Sequence, residues 1–186
     1  MVCCCGIVPL GQQSLPVETR LAITATGVPV NRVCLQTADD VYPPREKEFL
    51  MWEWMSKQAK LAALHSQKVL RYSYFVKMDM DTYFNWRQFH NFLTSLDLSR
   101  KYLYAGLAGT GRPHERDRLG LNGKAYCVGL GYVLNRALLL KVQSHWKDCN
   151  AHSYAEAHSD TEIGRCLLQY SGESCIGFPK HFVQVY

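Results

Sequence analysis

The stretch Tyr72-Ser73-Tyr74-Phe75-Val76-Lys77-Met78-Asp79-Met80-Asp81-Thr82-Tyr83-Phe84 decides the fold. An apolar, β-prone run climbs to two carboxylates one residue apart, and an aromatic pair follows them. Apolar side chains anchor such a strand in a sheet. Its last residues leave the sheet at an edge, where carboxylate oxygens can meet a hard cation such as Mn²⁺ or Mg²⁺. Residues i and i+2 of a strand point the same way, so Asp79 and Asp81 can serve one metal centre, or one metal and one ribose hydroxyl. A cation held there can neutralise a diphosphate and stabilise it as a leaving group. Asp-x-Asp without context also caps turns and starts helices. The apolar lead-in is what points to the metal.

Outward from this strand, helical and extended patterns alternate. Val28 to Leu35 reads as a strand, and the prolines of Asp39-Asp40-Val41-Tyr42-Pro43-Pro44 open a helix from Arg45 to about His65. Met51, Trp54, Met55, Ala59 and Ala62 recur along that helix at helical spacing. Trp86, Phe89, Phe92, Leu93 and Leu96 form a second amphipathic helix, and Tyr102 to Leu107 a core strand. Gly109 to Asn122 is a long polar loop of the kind that often carries function. Ala125 to Leu130 is a short strand entering a Gly129-Leu130-Gly131 turn, followed by a helix from Tyr132 to Val142. Asp148 to Ser159 is another loop. Asp160 is placed to cap a helix from Thr161 to Tyr170. Cys175 to Phe178 and His181 to Tyr186 are closing strands. The alternation implies an α/β domain with a mostly parallel sheet. Residues 1–27 show no periodicity and read as an irregular leader, leaving 28–186 as the domain.

The 186 residues suffice for one domain with a substantial core. The formal charge of +5 comes without a Lys/Arg stripe or a nucleic-acid motif, which argues against a nucleic-acid partner. No run is long and apolar enough to cross a bilayer, so no membrane segment is expected in this chain. Of eight cysteines, none forms a Cys-x-x-Cys pair, so a zinc site is not expected. Cys127, Cys149, Cys166 and Cys175 suit one or two disulfides in an oxidising compartment, or small buried apolar positions.

Three elements can converge chemically. They are the pair Asp79 and Asp81, the Gly129-Leu130-Gly131 turn that lets a ligand approach backbone, and the acidic helix start His158-Ser159-Asp160-Thr161-Glu162-Ile163-Gly164-Arg165-Cys166. Inverting sugar transfer needs a general base opposite the leaving diphosphate. Asp160, held by backbone N–H groups at a helix N-terminus, is the candidate, with Glu162 as the alternative. Each residue also has a plainer role, Asp160 as a cap and Glu162 as a solvated first-turn carboxylate.

In these blocks the sequence resembles the inverting β1,3-glycosyltransferases of the fringe, core-1-synthase and chondroitin-synthase superfamily, and above all the amino-terminal domain of chondroitin synthases. Lys77-Met78-Asp79-Met80-Asp81-Thr82-Tyr83 matches the family pattern Lys/Arg-x-Asp-Asp-Asp-x-Tyr/Phe. Asp39 to Lys47 resembles its Asp-Asp-Ser-Tyr-Pro-Pro segment, Tyr126 to Gly131 its Cys-Met-Gly-Gly-Pro-Gly turn, and His158 to Cys166 its His-Glu-Asp-Val-Glu-Val-Gly-Arg-Cys block. The resemblance implies a GT-A-like fold, truncated at its amino end, with a UDP-sugar donor, Mn²⁺ and a glycan acceptor. It implies Asp81 as main metal ligand, Asp79 at the metal or donor ribose, Asp160 as base, and Lys47, Gly129 and Gly131 near donor or acceptor. His181 is the late histidine that could stand in for the family's metal-binding His. Glucuronyl or N-acetylgalactosaminyl transfer is the activity implied, with core-1-type galactosyl transfer second. Golgi residence as a type II membrane protein in full-length form, and a related glycosyltransferase subunit as partner, are also implied. Met80 in place of the middle Asp, Val128 in place of the first Gly, and Ser159 in place of a Glu depart from the pattern. Met80, Val128 and the lack of a recognisable first nucleotide-binding strand before Val28 favour the contrasting reading, a degenerate, non-catalytic subunit that binds glycan or partner, whereas the retained Asp79, Asp81 and Asp160 favour the enzyme.

Overall fold

The computed structural model describes residues 3–5, 19–23, 29–34, 45–64, 73–79, 82–95, 100–111, 120–154, 158–178 and 183–185. In chain order the elements are β1 (Cys3–Cys5), β2 (Thr19–Ile23), β3 (Pro29–Cys34), α1 (Arg45–Leu64), β4 (Tyr74–Met78), β5 (Thr82–Phe84), α2 (Trp86–Ser95), β6 (Tyr104–Gly109) and β7 (Tyr126–Asn135). There follow α3 (Arg136–Val142), a 3-10 turn at Gln143–His145, α4 (Trp146–Ala151), α5 (Ser159–Ser171), β8 (Ile176–Gly177) and β9 (Val183–Val185). Within residues 1–27, β1 and β2 both pair with β3 in a small antiparallel sheet, although no periodicity announces them.

The central sheet has the order β4-β7-β6-β8. The expected mostly parallel sheet is corrected here: β7 runs antiparallel to both β4 and β6, and only β6 and β8 pair in parallel. The physical reason lies in the connections. β4 and β6 point the same way, joined through α2 as a crossover requires. β7 then returns against β6 with no helix described between them, and inserts between the two. Strand and helix alternation in the sequence cannot reveal that insertion.

Alternate residues of the sheet feed two apolar layers. Tyr104, Tyr132 and Leu134 face α1 and α3–α5, packing with Trp52, Trp146, Leu138, Leu139, Ile163 and Leu167. Leu103, Ala105 and Val133 face the other way, toward Phe92 and Leu93 of α2 and toward Phe178. On α1 the buried face is Phe49, Trp52, Ser56 and Ala59, so Trp52 and not Trp54 is the core anchor. Its polar edge is satisfied: Trp52 Nε1 donates to the Tyr132 hydroxyl at 2.9 Å, and that hydroxyl donates to the buried Glu48 carboxylate. Burial, with the Glu48 charge beside it, pushes the Tyr132 hydroxyl well above its ordinary range, so it stays a donor.

Two disulfides cross-link the α5 side, Cys127–Cys175 and Cys149–Cys166. The second joins α5 to α4, which occupies part of the stretch expected to be loop. Asn135 caps α3 by accepting from Leu138 N at 3.0 Å, so the helix expected from Tyr132 starts at Arg136. Gly172, at φ 78°, ends α5 in the left-handed conformation, with its N–H on Leu168 O.

Candidate active site

The expected Gly129-Leu130-Gly131 turn is corrected as well: these residues lie inside β7, which continues to Asn135. Tyr132 pairs with Gly106 and Cys127 with Ala108, so Val128 to Gly131 oppose Leu107 alone. The extra residues bulge from β6. Meanwhile Gly131 stays buried and registers with Met78 of β4. Pairing with β4 along one edge, and with β6 along the other on either side of the bulge, lets the strand run through glycines that would otherwise break it. The bulge carries the Gly129 peptide to the carboxyl end of β4, where Asp79 leaves the sheet.

The Gly129 peptide group is shared by the two sides of the site. Its N–H donates to Asp160 Oδ2 at 2.8 Å. Its carbonyl accepts from Lys77 Nζ, and the same ammonium sits 2.7 Å from Asp79 Oδ1. A Cβ placed on Gly129 would lie 3.6 Å from Asp79 Oδ2 and 3.7 Å from Asp160 Oδ2. The two carboxylates therefore flank one glycine, although they come from elements far apart in sequence. Lys77 has a side chain only 12 % exposed, whereas that of Asp79 is 44 % exposed and open to a ligand. Sequence reasoning passed over Lys77 as a contact in its own right. The signal was its position two residues before Asp79, on the same face of the strand.

Asp160 does not cap α5. His158 occupies the cap position without a side-chain cap bond, and Asp160 is the second helical residue. Its Oδ1 accepts from Thr161 N at 2.8 Å, while Oδ2 reaches across to β7. Two backbone N–H groups thus fix the carboxylate, and its oxygens retain lone pairs for a hydroxyl proton. Behind it, the buried Tyr104 hydroxyl accepts from Cys127 N at 2.7 Å and supports the start of the bulge. Burial raises that hydroxyl's pKa well above its ordinary value; the Cys127 bond opposes the shift and the Asp160 charge adds to it.

Glu162 is neither a base nor a solvated carboxylate. It is fully buried and paired with Arg165 at 2.6 Å. A carboxylate so enclosed is committed to the fold. Lys47 lies half-buried on the first turn of α1 and takes no part in the set formed by Lys77, Asp79, Gly129 and Asp160. Asp81 and His181 lie outside the described residues. Thr82, which follows Asp81, pairs with Val185, whereas the end of β9 nearer His181 pairs with Phe84.

For a hard cation, Asp79 supplies one oxygen not engaged by Lys77, and that donor type fits Mn²⁺ or Mg²⁺. Asp160 has both oxygens on backbone N–H groups, which fix the orientation of its carboxylate beside Gly129. Among the described residues no group of three His, Cys, Asp or Glu side chains gathers to hold an ion.

A site in which a carboxylate at a strand end faces a second at a helix start, on a sheet flanked by helices, is consistent with a glycosyltransferase fold. No family model matches the chain. Over 150 residues, 80 % of its length, it is 33 % identical to chondroitin sulfate synthase 3 of Mus musculus. It is 33 % identical over the same length to chondroitin sulfate synthase 3 of Homo sapiens, and 30 % identical over 125 residues to chondroitin sulfate glucuronyltransferase of Homo sapiens. The chain is thus a relative of the chondroitin-synthase-type glycosyltransferases. It spans 16 % of the length of the two synthases and 15 % of the glucuronyltransferase.

Proposed function

We propose that this chain is a GT-A-like glycosyltransferase domain that moves a sugar from a UDP-sugar to a glycan hydroxyl with inversion, forming a β1,3 linkage. The observation that carries this reading is the meeting of Asp79 and Asp160 at Gly129. In the step, the acceptor oxygen attacks the anomeric carbon from the face opposite the diphosphate. Its proton passes to the Asp160 carboxylate, and the bond from the anomeric carbon to the UDP oxygen breaks. The Gly129 and Thr161 N–H groups hold Asp160 in position for that transfer. A divalent cation such as Mn²⁺, held by Asp79 and Asp81, would neutralise the leaving diphosphate. Glucuronyl or N-acetylgalactosaminyl transfer is the proposed activity; the name of one relative, chondroitin sulfate glucuronyltransferase, supports the first. Two disulfides agree with an oxidising lumen such as the Golgi, and a related glycosyltransferase subunit is the proposed partner.

One observation favours the alternative of a non-catalytic, glycan- or partner-binding subunit. Lys77 already neutralises Asp79 and, through the Gly129 carbonyl, closes the site upon itself. Calorimetry with UDP in the presence and absence of Mn²⁺ separates the two. A transferase binds UDP with metal and loses it in Asp81→Ala. Asp160→Asn keeps that binding while transfer falls roughly 10²- to 10⁴-fold, the range for a general base. UDP binding indifferent to metal and to Asp81→Ala, with glycan binding intact, would establish the non-catalytic subunit.

A further inference from the structure

A second concave surface lies farther along α5, away from the Asp79–Asp160 pair. Asp160 faces β7 at Gly129. One turn on, Gly164 packs on Tyr126, and beyond it Leu168 packs with Leu121 and Tyr126. Following α5 therefore leads back along β7 to the turn that precedes it. There a cleft of about 510 Å³ opens between α5, the turn at 120–124 and Tyr154. By helical rise, Arg165 and Gln169 stand roughly 8 to 14 Å from Asp160 along the axis.

The walls are held from behind. Arg165 is clamped by the buried Glu162, through Nε at 3.1 Å and Nη2 at 2.6 Å, and also donates to His152 O at 3.0 Å. Its guanidinium lies 5.1 Å from the centre of the Tyr154 ring. Arg45, at the start of α1, donates to the Tyr154 carbonyl and to Ser153 Oγ. Tyr154 is nonetheless 49 % exposed, a large ring fixed at its base and open on its outer side. Opposite it, Asn122 at φ 49° and Gly123 at φ 73° form a tight turn closed by Lys124 N on Leu121 O at 2.8 Å. That turn presents the exposed Asn122 and Lys124 side chains, and Gln169 adds a further exposed amide.

An aromatic platform ringed by amides and a cation is suited to a polar ligand with an apolar face and a negative charge. A pyranose ring bearing a carboxylate has those properties. The volume lies within the usual range of ligand clefts, roughly 300 to 1,000 Å³. Arg165 is neutralised by Glu162, so among the described residues lining the cleft Lys124 is the cation left to meet the carboxylate.

We infer that this cleft is a saccharide subsite that takes an acidic sugar unit of the acceptor, one or two units back from the reacting hydroxyl. The inference rests on the glycosyltransferase reading for its link to Asp160, but its test reads binding and not turnover. Unsulfated chondroitin hexasaccharide and a neutral chitin-type hexasaccharide are titrated into the protein by calorimetry. The acidic probe binds more tightly. Tyr154→Ala weakens it tenfold or more, while Tyr154→Phe stays within threefold. Lys124→Ala, on an exposed turn where folding is not at stake, weakens the acidic probe several-fold, removes the preference over the neutral one and flattens the salt dependence. Equal binding of both probes, or acidic binding unchanged in Lys124→Ala and Tyr154→Ala, would overturn the assignment. If the cleft variants behave as described but no UDP-sugar is ever transferred, the subsite stands as a binding surface and the transferase reading fails. If transfer depends on Asp160 while the cleft variants bind normally, the reverse holds.

Discussion

Replacing Gly129 by alanine separates the chemistry of the site from its stability. The backbone there is outside the left-handed region, so alanine meets no conformational strain. Restricting the unfolded chain would by itself stabilise the fold by about 0.4–1 kcal/mol. Against this, the new methyl would sit 3.2 Å from Lys77 Nζ, the mobile end of a long side chain that can give by a few tenths of an ångström. The two effects nearly offset, and urea unfolding should move by less than about 1 kcal/mol. Activity should respond differently. The same methyl stands in the gap between Asp79 Oδ2 and Asp160 Oδ2, where donor and acceptor must meet. A misplacement of about 1 Å costs on the order of 10²-fold, so a shift of a few tenths, with the gap itself narrowed, should lower kcat/KM by roughly tenfold, about 1.4 kcal/mol. Kinetics of sugar transfer, paired with urea unfolding of the same preparation, provide the assay. A folded Gly129→Ala protein with unchanged kcat/KM would show that no reactant passes between the carboxylates, and the proposed chemistry would be lost with it.

Other expectations concern the frame around the site. Gly164→Ala places a Cβ 2.5 Å from Tyr126 Cβ and 3.3 Å from its Cα, so α5 must move off β7; thermal unfolding should register a loss of about 1–3 kcal/mol. Removing both cysteines of Cys149–Cys166, which closes a loop of 17 residues, should cost about 3 kcal/mol in urea. Removing both of Cys127–Cys175, with a separation of 48, should cost about 4 kcal/mol. The Tyr170 hydroxyl, bonded to Asp148, holds that carboxylate below its ordinary value of 3.8, with the His152 and His145 charges adding. A depressed carboxylate stabilises the fold above the ordinary value, and that contribution fades as pH falls through the lower, folded one. Tyr170→Phe should therefore raise the Asp148 titration midpoint, read by NMR of its carboxyl carbon, and reduce the loss of stability on acidification.

The sequence made some elements legible because one signal dominated each. β4 carries its apolar run straight to Asp79, and α1 begins just after two prolines. α5, expected over Thr161 to Tyr170 behind an acidic start, spans Ser159–Ser171. Elsewhere several signals compete. Apolar residues surround α1: Phe49, Trp52 and Met55 pack on one core cluster, while Trp54 lies outside it. Periodicity therefore fits either face, and the packing of Trp146, Leu138 and Leu139 decides for Trp52. Gly129 and Gly131 announce a turn on local grounds, yet β7 runs on through them: Gly131 pairs with Met78 of β4, and Gly129 lies in the bulge opposite Leu107. Asp160 as a base candidate followed from its place at a helix start. That its second oxygen reaches Gly129 depends on a bulge, which no spacing of residues encodes. Glu162 looked like any first-turn acid because its full burial is a tertiary fact, although its partner Arg165 stands only three residues on.

The covalent cross-links treat the two carboxylates unequally. β7, α4 and α5 are joined to one another or to the start of β8 by disulfides, so Asp160 and its N–H donors sit on a stiffened half. Asp79 sits at the end of β4, the outer strand of the sheet among the described residues and one without cysteine, tied to that half by backbone pairing and the Lys77 ammonium. Under the proposed function, changes around β4 that spare Lys77 would reshape what approaches Asp79 with little effect on Asp160, whereas a change at Lys77 itself would reach Asp160 through the Gly129 peptide.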